Sequence, residues 1–109
     1  MQEALQEQYL QRYEVSVLNA VREVRNAMAD YRKEKERRTS LKLAVDAAQA
    51  AEELAADRYR SGLSDFNNVL DAQRSLLRFQ EQLALSEGTV SQNAVRLYKA
   101  LGGGWKPME

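Results

Sequence analysis

Arg58-Tyr59-Arg60-Ser61-Gly62-Leu63-Ser64-Asp65-Phe66-Asn67-Asn68-Val69-Leu70-Asp71-Ala72-Gln73-Arg74 decides the fold, because it holds the break in helix signal between two long helical runs. Gly62 suits the left-handed position just past a helix end, Ser64 reads as an N-cap, and Asp65 then falls in the positive first turn of the second run. The reversal is therefore short, with a turn over 61–64. Nothing from Met1 to Arg60 breaks a helix, and the lone proline, Pro107, comes only after Gly102-Gly103-Gly104. The expected architecture is all-α: a single long antiparallel coiled-coil hairpin over 1–109, with helix one over about 9–60, helix two over about 65–101 and a glycine-rich tail over 102–109.

Hydrophobic spacing supplies the seam. In the first run Val17, Val21, Val24, Met28 and Tyr31 alternate in steps of four and three, and after a charged interval the pattern resumes at Leu41, Val45, Ala48, Glu52, Ala55 and Tyr59. In the second, Val69, Leu76, Leu83, Val90 and Leu97 fall seven apart, beside a mixed row of Phe66, Gln73, Gln80, Glu87, Ala94 and Leu101. A sustained seven-residue repeat predicts left-handed supercoiling. At about 1.5 Å per residue, 66–101 spans roughly 55 Å and pairs with helix one back to about residue 24, so earlier residues overhang. That pairing sets Lys35, Arg37 and Arg38 near Glu87, a surface ion pair worth about 0–1 kcal/mol. Alanines at 44, 47, 48, 50, 51, 55 and 56 permit close helix approach but bury little area, so further helices are expected to cover the pair and the isolated chain is expected to self-associate. Gly88, inside helix two, costs about 1 kcal/mol against alanine and marks either a kink or a tight crossing.

Composition excludes several function classes. Sixteen basic and sixteen acidic residues leave no net charge, which points away from nucleic acid and anionic membrane surfaces. Tyr31-Arg32-Lys33-Glu34-Lys35-Glu36-Arg37-Arg38 mixes signs and reads as a solvated helix face. Without histidine or cysteine the chain lacks the commonest metal ligands, general base and thiol nucleophile, so neither an enzyme nor a cofactor is expected. No stretch approaches the about 20 apolar residues of a membrane-spanning helix, and Met1-Gln2-Glu3 does not open a signal region. The chain as it stands reads as soluble and untargeted, as a segment excised from a longer protein also would.

Three pieces in order, Arg58-Tyr59-Arg60-Ser61-Gly62-Leu63, then Val69-Leu70-Asp71-Ala72-Gln73-Arg74-Ser75-Leu76-Leu77, then Leu97-Tyr98-Lys99-Ala100-Leu101-Gly102-Gly103-Gly104-Trp105, make a specific signal. Over about Tyr13 to Trp105 the sequence resembles the C-terminal half of the TolC-like outer membrane efflux proteins of the OprM and NodT type. The resemblance implies a homotrimer in which each subunit's two repeats supply β-hairpins to an outer membrane barrel and long helices to a periplasmic tunnel. No stretch here alternates with period two over a strand's length, so the chain resembles an excised second-repeat hairpin, a periplasmic segment of that tunnel.

The resemblance also assigns roles. The turn Ser61, Gly62, Leu63 and Ser64 would be the periplasmic tip, where a periplasmic adaptor protein docks and, with an inner membrane pump, drives opening. Asp71 matches an aspartate whose copies ring the closed entrance; an acid that TolC itself carries three residues earlier is Asn68 here, so a ring at that level would be uncharged. Tyr59 matches a tyrosine that latches the closed tip, its polar partner belonging to the first repeat. Physically, copies of Asp71 around a narrow axis would raise one another's proton affinity and attract cations. The local alternatives are a solvated Asp71 paired with Arg74, and a Tyr59 that caps the seam with its hydroxyl in water. Leu63 is either an incidental surface apolar residue or a docking knob, and Trp105 either packs back on the overhang or anchors at an interface. A second class of function remains open: a structural or adaptor coiled-coil hairpin, sharpest as the periplasmic adaptor type, which binds other helices. An adaptor hairpin would be flanked by lipoyl-like β segments, whereas here the chain runs into Gly102-Gly103-Gly104-Trp105, and Val69-Leu70-Asp71-Ala72-Gln73 fits the channel family better.

Overall fold

A computed structural model of the chain describes residues 2–103, and it folds as two long helices, α1 (Gln2–Arg60) and α2 (Phe66–Gly103), that form a hairpin. α1 begins well before residue 9, since Gln2 to Gln8 contains no breaker. α2 begins at Phe66 and takes in Gly102 and Gly103, expected in the tail. Trp105 lies outside the described residues. Packing divides the chain into two compact units, Lys33–Ser91 and Met1–Arg32 with Gln92–Glu109.

In the unit Lys33–Ser91, α1 turns Glu34, Arg38, Leu41, Val45, Ala48, Glu52 and Ala55 inward, in steps of four and three. From α2 come Val69, Ala72, Leu76, Phe79, Leu83, Ser86 and Val90. The clean heptad row of α2 is therefore the seam, but its companion is not the expected row: Phe66, Gln73, Gln80 and Glu87 are exposed, and Ala72, Phe79 and Ser86, each one position earlier, take the place. Packing explains the choice. Ala72 and Ser86 let the backbones approach, whereas turning Gln73, Gln80 and Glu87 inward would strip water from three polar groups without providing partners.

The charged interval of α1 is not wholly a solvated face either. Ser86, fully buried, donates its hydroxyl to Glu34 Oε1 at 2.8 Å, and the Glu34 side chain is 15% exposed. A hydrogen bond to a charged acceptor contributes about 1.5–3 kcal/mol. Arg37 does not reach Glu87, which is exposed; it pairs with Glu34 on its own helix at 3.4 Å. Arg38 Nε is buried with no hydrogen-bond partner among the described residues. Gly88 faces open space, with nothing within 4 Å of where a Cβ would sit, so no crossing within this chain needs it.

In the unit Met1–Arg32 with Gln92–Glu109, Ala20, Val24, Ala27 and Tyr31 turn inward from α1, and Asn93, Ala94, Leu97 and Ala100 from α2. The expected seam residues Val17, Val21 and Met28 stay exposed, displaced by Ala20 and Ala27, because small side chains again permit the closer approach. Asp30 ties the helices together: its carboxylate accepts from Arg96 Nη2 at 2.6 Å and its carbonyl from Asn93 Nδ2 at 3.3 Å. Both partners of the ion pair are about half exposed, so it contributes at most about 1 kcal/mol. Every described residue from Glu3 to Asn19 is exposed, including Leu5, Tyr9, Leu10 and Tyr13, as expected for an overhang.

Among the described residues the buried apolar side chains are Ala27, Leu41, Ala48, Val69 and Val90. Burying a valine or leucine contributes about 1.5–3 kcal/mol, and alanine much less. This seam is thin for two helices of such length.

Candidate functional site

The turn is built from the chain's own hydrogen bonds. Gly62 has φ +74°, the left-handed conformation that a Cβ would strain, and it sits one residue past the cap of α1. From there the Gly62 amide donates to the Tyr59 carbonyl at 3.0 Å and the Leu63 amide to the Arg58 carbonyl at 2.9 Å. This pair of bonds is a Schellman motif, and it satisfies carbonyls that the end of α1 would leave open. Arg58 and Arg60 in the last turn complement the helix dipole.

The restart differs from expectation. Asp65, not Ser64, stands at the cap of α2: Asp65 Oδ1 accepts from the Phe66 amide at 2.8 Å and its carbonyl from the Asn68 amide at 3.1 Å. Ser64 Oγ instead accepts from Asn68 Nδ2 at 2.6 Å, so Asn68 braces the turn through its side chain. A carboxylate at the cap is well placed for the unpaired amides of the first turn, and the longer reach of Asn68 leaves Ser64 a side-chain partner.

Tyr59 packs against Phe66 across the turn, ring centroids 5.1 Å apart and planes tilted by 58°. Such a pair contributes about 0.5–1.5 kcal/mol beyond its area. Phe66 is legible in the sequence as an apolar residue but not as the partner of Tyr59; two aromatic residues flanking a tight turn are the signal. The Tyr59 hydroxyl has no partner among the described residues. Leu63, at the point of the turn, is 80% exposed. Ser61 and Gly62 are exposed and Ser64 half-buried.

Asp71 lies on the solvent side of α2, exposed, and forms no ion pair with Arg74 or any other described residue. The structure thus brings Tyr59, Ser61, Gly62, Leu63, Ser64 and Asn68 into one turn and sets Asp71 just beyond it along α2. Glu34 with Ser86, which sequence reasoning missed, belongs to the seam; a serine in the companion heptad row was its signal. Among the described residues no group of three or more acidic side chains could hold a metal ion, and no helix is long and apolar enough to cross a membrane.

Comparison with known proteins places this hairpin. Residues 1–103 match the family described as Outer membrane efflux protein. The chain is 39% identical over 104 residues to the pyoverdine export outer membrane protein OpmQ of Pseudomonas putida, an alignment that covers 95% of this chain and 22% of that protein. It is 40% identical over 93 residues to the toluene efflux pump outer membrane protein TtgF, also of Pseudomonas putida, covering 85% of this chain and 19% of the relative. Among solved structures, the outer-membrane channel OprN superposes with a TM-score of 0.78 at 41% identity, over 96% of this chain and 24% of that one. The chain thus spans about a fifth of the length of these curated relatives. With the family matched over nearly its whole length and a solved channel sharing its hairpin, the chain belongs to the outer membrane efflux protein family.

Proposed function

We propose that this hairpin is one stave of the periplasmic tunnel of a homotrimeric outer membrane efflux channel, a passive conduit whose tip docks to a periplasmic adaptor protein. Family membership supports transport rather than catalysis, and the likeness to OprN supports the channel over the periplasmic-adaptor hairpin. The observation that carries the reading is the turn itself: Leu63, exposed and apolar, is presented on a backbone locked by the Schellman bonds, as a docking knob requires. Asp71, exposed and unpaired, is available to line an entrance, and Tyr59, its hydroxyl without a partner among the described residues, is available to latch a neighbouring hairpin. Opening would follow when the tip helices shift outward on engaging the adaptor and an inner membrane pump, which supplies the energy. Leu43, Leu54, Leu77 and Leu85, all more than half exposed, are the surfaces that neighbouring helices would cover and through which the isolated chain would self-associate.

The test is conductance across planar bilayers of the full-length channel that carries this hairpin, wild type against Asp71→Ala. A larger current that is less sensitive to divalent cation block supports the entrance assignment. Absence of pore activity in the wild-type channel would overturn the conduit reading.

A further inference from the structure

The outward side of α2 that carries Asp71 also carries two exposed arginines without an ion pair among the described residues, Arg74 one turn on and Arg78 one heptad on, and only Arg78 repeats the heptad position of Asp71. Asn68, Asp71, Ser75, Arg78 and Gln82 succeed one another in steps of three and four, so they share one side of the helix, and Arg78 occupies the same heptad position as Asp71. Seven residues at 1.5 Å each set the two charges about 10 Å apart along the axis, too far for a direct ion pair. Arg78 is exposed and forms no ion pair with Asp71, Glu81 or any other described residue. Ser75, between the two on this face, and Gln82, one turn beyond Arg78, are half-buried and uncharged.

We propose that Arg78 and its symmetry copies form a cationic ring one heptad inside the acidic ring of Asp71, and that this ring binds the anionic group of transported solutes such as carboxylates and phosphates. The inference rests on the reading of Asp71 as an entrance residue: whatever axis Asp71 faces, helical periodicity turns Arg78 towards it. A separation of about 10 Å is comparable with the Debye length at physiological ionic strength, so the two rings act as successive fields of opposite sign and do not cancel. Rings of arginine in a pore favour anions. The guanidinium offers a planar fork of donors matched to carboxylate and phosphate oxygens. The entrance is then ambipolar: cations are attracted at the mouth and anionic groups are held one heptad further in. Asn68, uncharged where a second acid would deepen the negative field, fits the same balance.

The experiment uses the full-length channel in planar bilayers under a potassium chloride gradient. Arg78→Gln should lower the chloride-to-potassium permeability ratio at least about twofold, and block by millimolar inorganic phosphate should be lost, while Arg78→Lys should restore the permeability ratio and only part of the phosphate block. Asp71→Cys and Arg78→Cys, each treated with a charged thiol reagent, report separately whether either position faces the pore. Current through both variants should change on modification. If Asp71→Cys responds while Arg78→Gln leaves permeability ratio and phosphate block unchanged, the cationic ring is wrong and the entrance assignment stands. If neither cysteine responds in channels that conduct, the entrance assignment fails and the ring with it.

Discussion

Two stretches of the same helix have opposite fates. From Glu3 to Asn19, α1 exposes Leu5, Tyr9, Leu10, Tyr13 and Val17, whereas from Leu41 to Ala55 it buries or half-buries Leu41, Val45, Ala48, Glu52 and Ala55. The bare stretch holds the larger and more aromatic side chains, and the covered one is rich in alanine. Side-chain hydrophobicity therefore does not decide which part of a helix is covered within this chain; the length of α2 does. In the proposed channel the large residues left bare would be surface for neighbouring helices or sheets, and the small ones mark where two backbones of this chain come close.

The comparison can be broken most severely at the covering helix. Val69→Asp sets a carboxylate in the seam at a side chain that is 5% exposed, which should cost about 3 kcal/mol or more and make the stretch 41–55 as unsupported as 3–19. Loss of helical signal by circular dichroism in the isolated chain is the expected outcome, and an unchanged urea midpoint would show that the seam does not hold the hairpin.

Gly62→Ala acts on the return of α2. With φ +74° the alanine Cβ is strained by about 1–2 kcal/mol, so the urea midpoint should fall moderately while the helices persist. Ser86→Ala removes the hydroxyl that Glu34 accepts and leaves that carboxylate with Arg37 alone; a destabilisation of about 1.5 kcal/mol is expected by the same measurement, and pairing it with Glu34→Gln in a double-mutant cycle isolates the contact.

The smallest effect sharpens the comparison from the other side. Tyr13→Ala, in the bare stretch, should move the stability of the isolated chain by no more than about 0.5 kcal/mol, since the side chain is 69% exposed. In the full-length channel the same substitution should lower assembly yield, read as the oligomer fraction on size-exclusion chromatography. A strong effect in the isolated chain would mean that Tyr13 is already covered by self-association.

Much of the fold is legible in the residues. The turn at Gly62, the two runs beside it, the heptad row from Val69 to Leu97 and the overhang all derive from local rules. What escapes those rules is the companion row in each helix: hydrophobic spacing favours Val21 and Met28 over Ala20 and Ala27, and sets Gln73, Gln80 and Glu87 where Ala72, Phe79 and Ser86 in fact pack. A heptad row has two flanking neighbours, and spacing alone does not choose between them: in α1 the smaller flank packs because it allows closer approach, and in α2 the flank of Ala72, Phe79 and Ser86 packs because the other would bury Gln73, Gln80 and Glu87. At the turn, Ser64 reads as the cap because it precedes the helical run, yet Asp65, one residue later, holds the position and frees Ser64 for Asn68.

By itself, then, the sequence determined two long helices, the place of their reversal, and the absence of any histidine- or cysteine-based chemistry in this stretch, since these depend on glycine φ, helix periodicity and side-chain inventory. Only the tertiary structure decided which flank of each heptad row became the seam, that Glu34 and Ser86 meet inside it, that Phe66 receives Tyr59, and that Asp71 and Arg78 stand unpaired on one outward face. The seam flank and the Glu34–Ser86 contact depend on how closely one helix approaches the other, a quantity set by the volumes of side chains far apart in sequence, whereas the Tyr59–Phe66 contact depends on the geometry of the turn between them and the exposure of Asp71 and Arg78 on which side of α2 the seam leaves open.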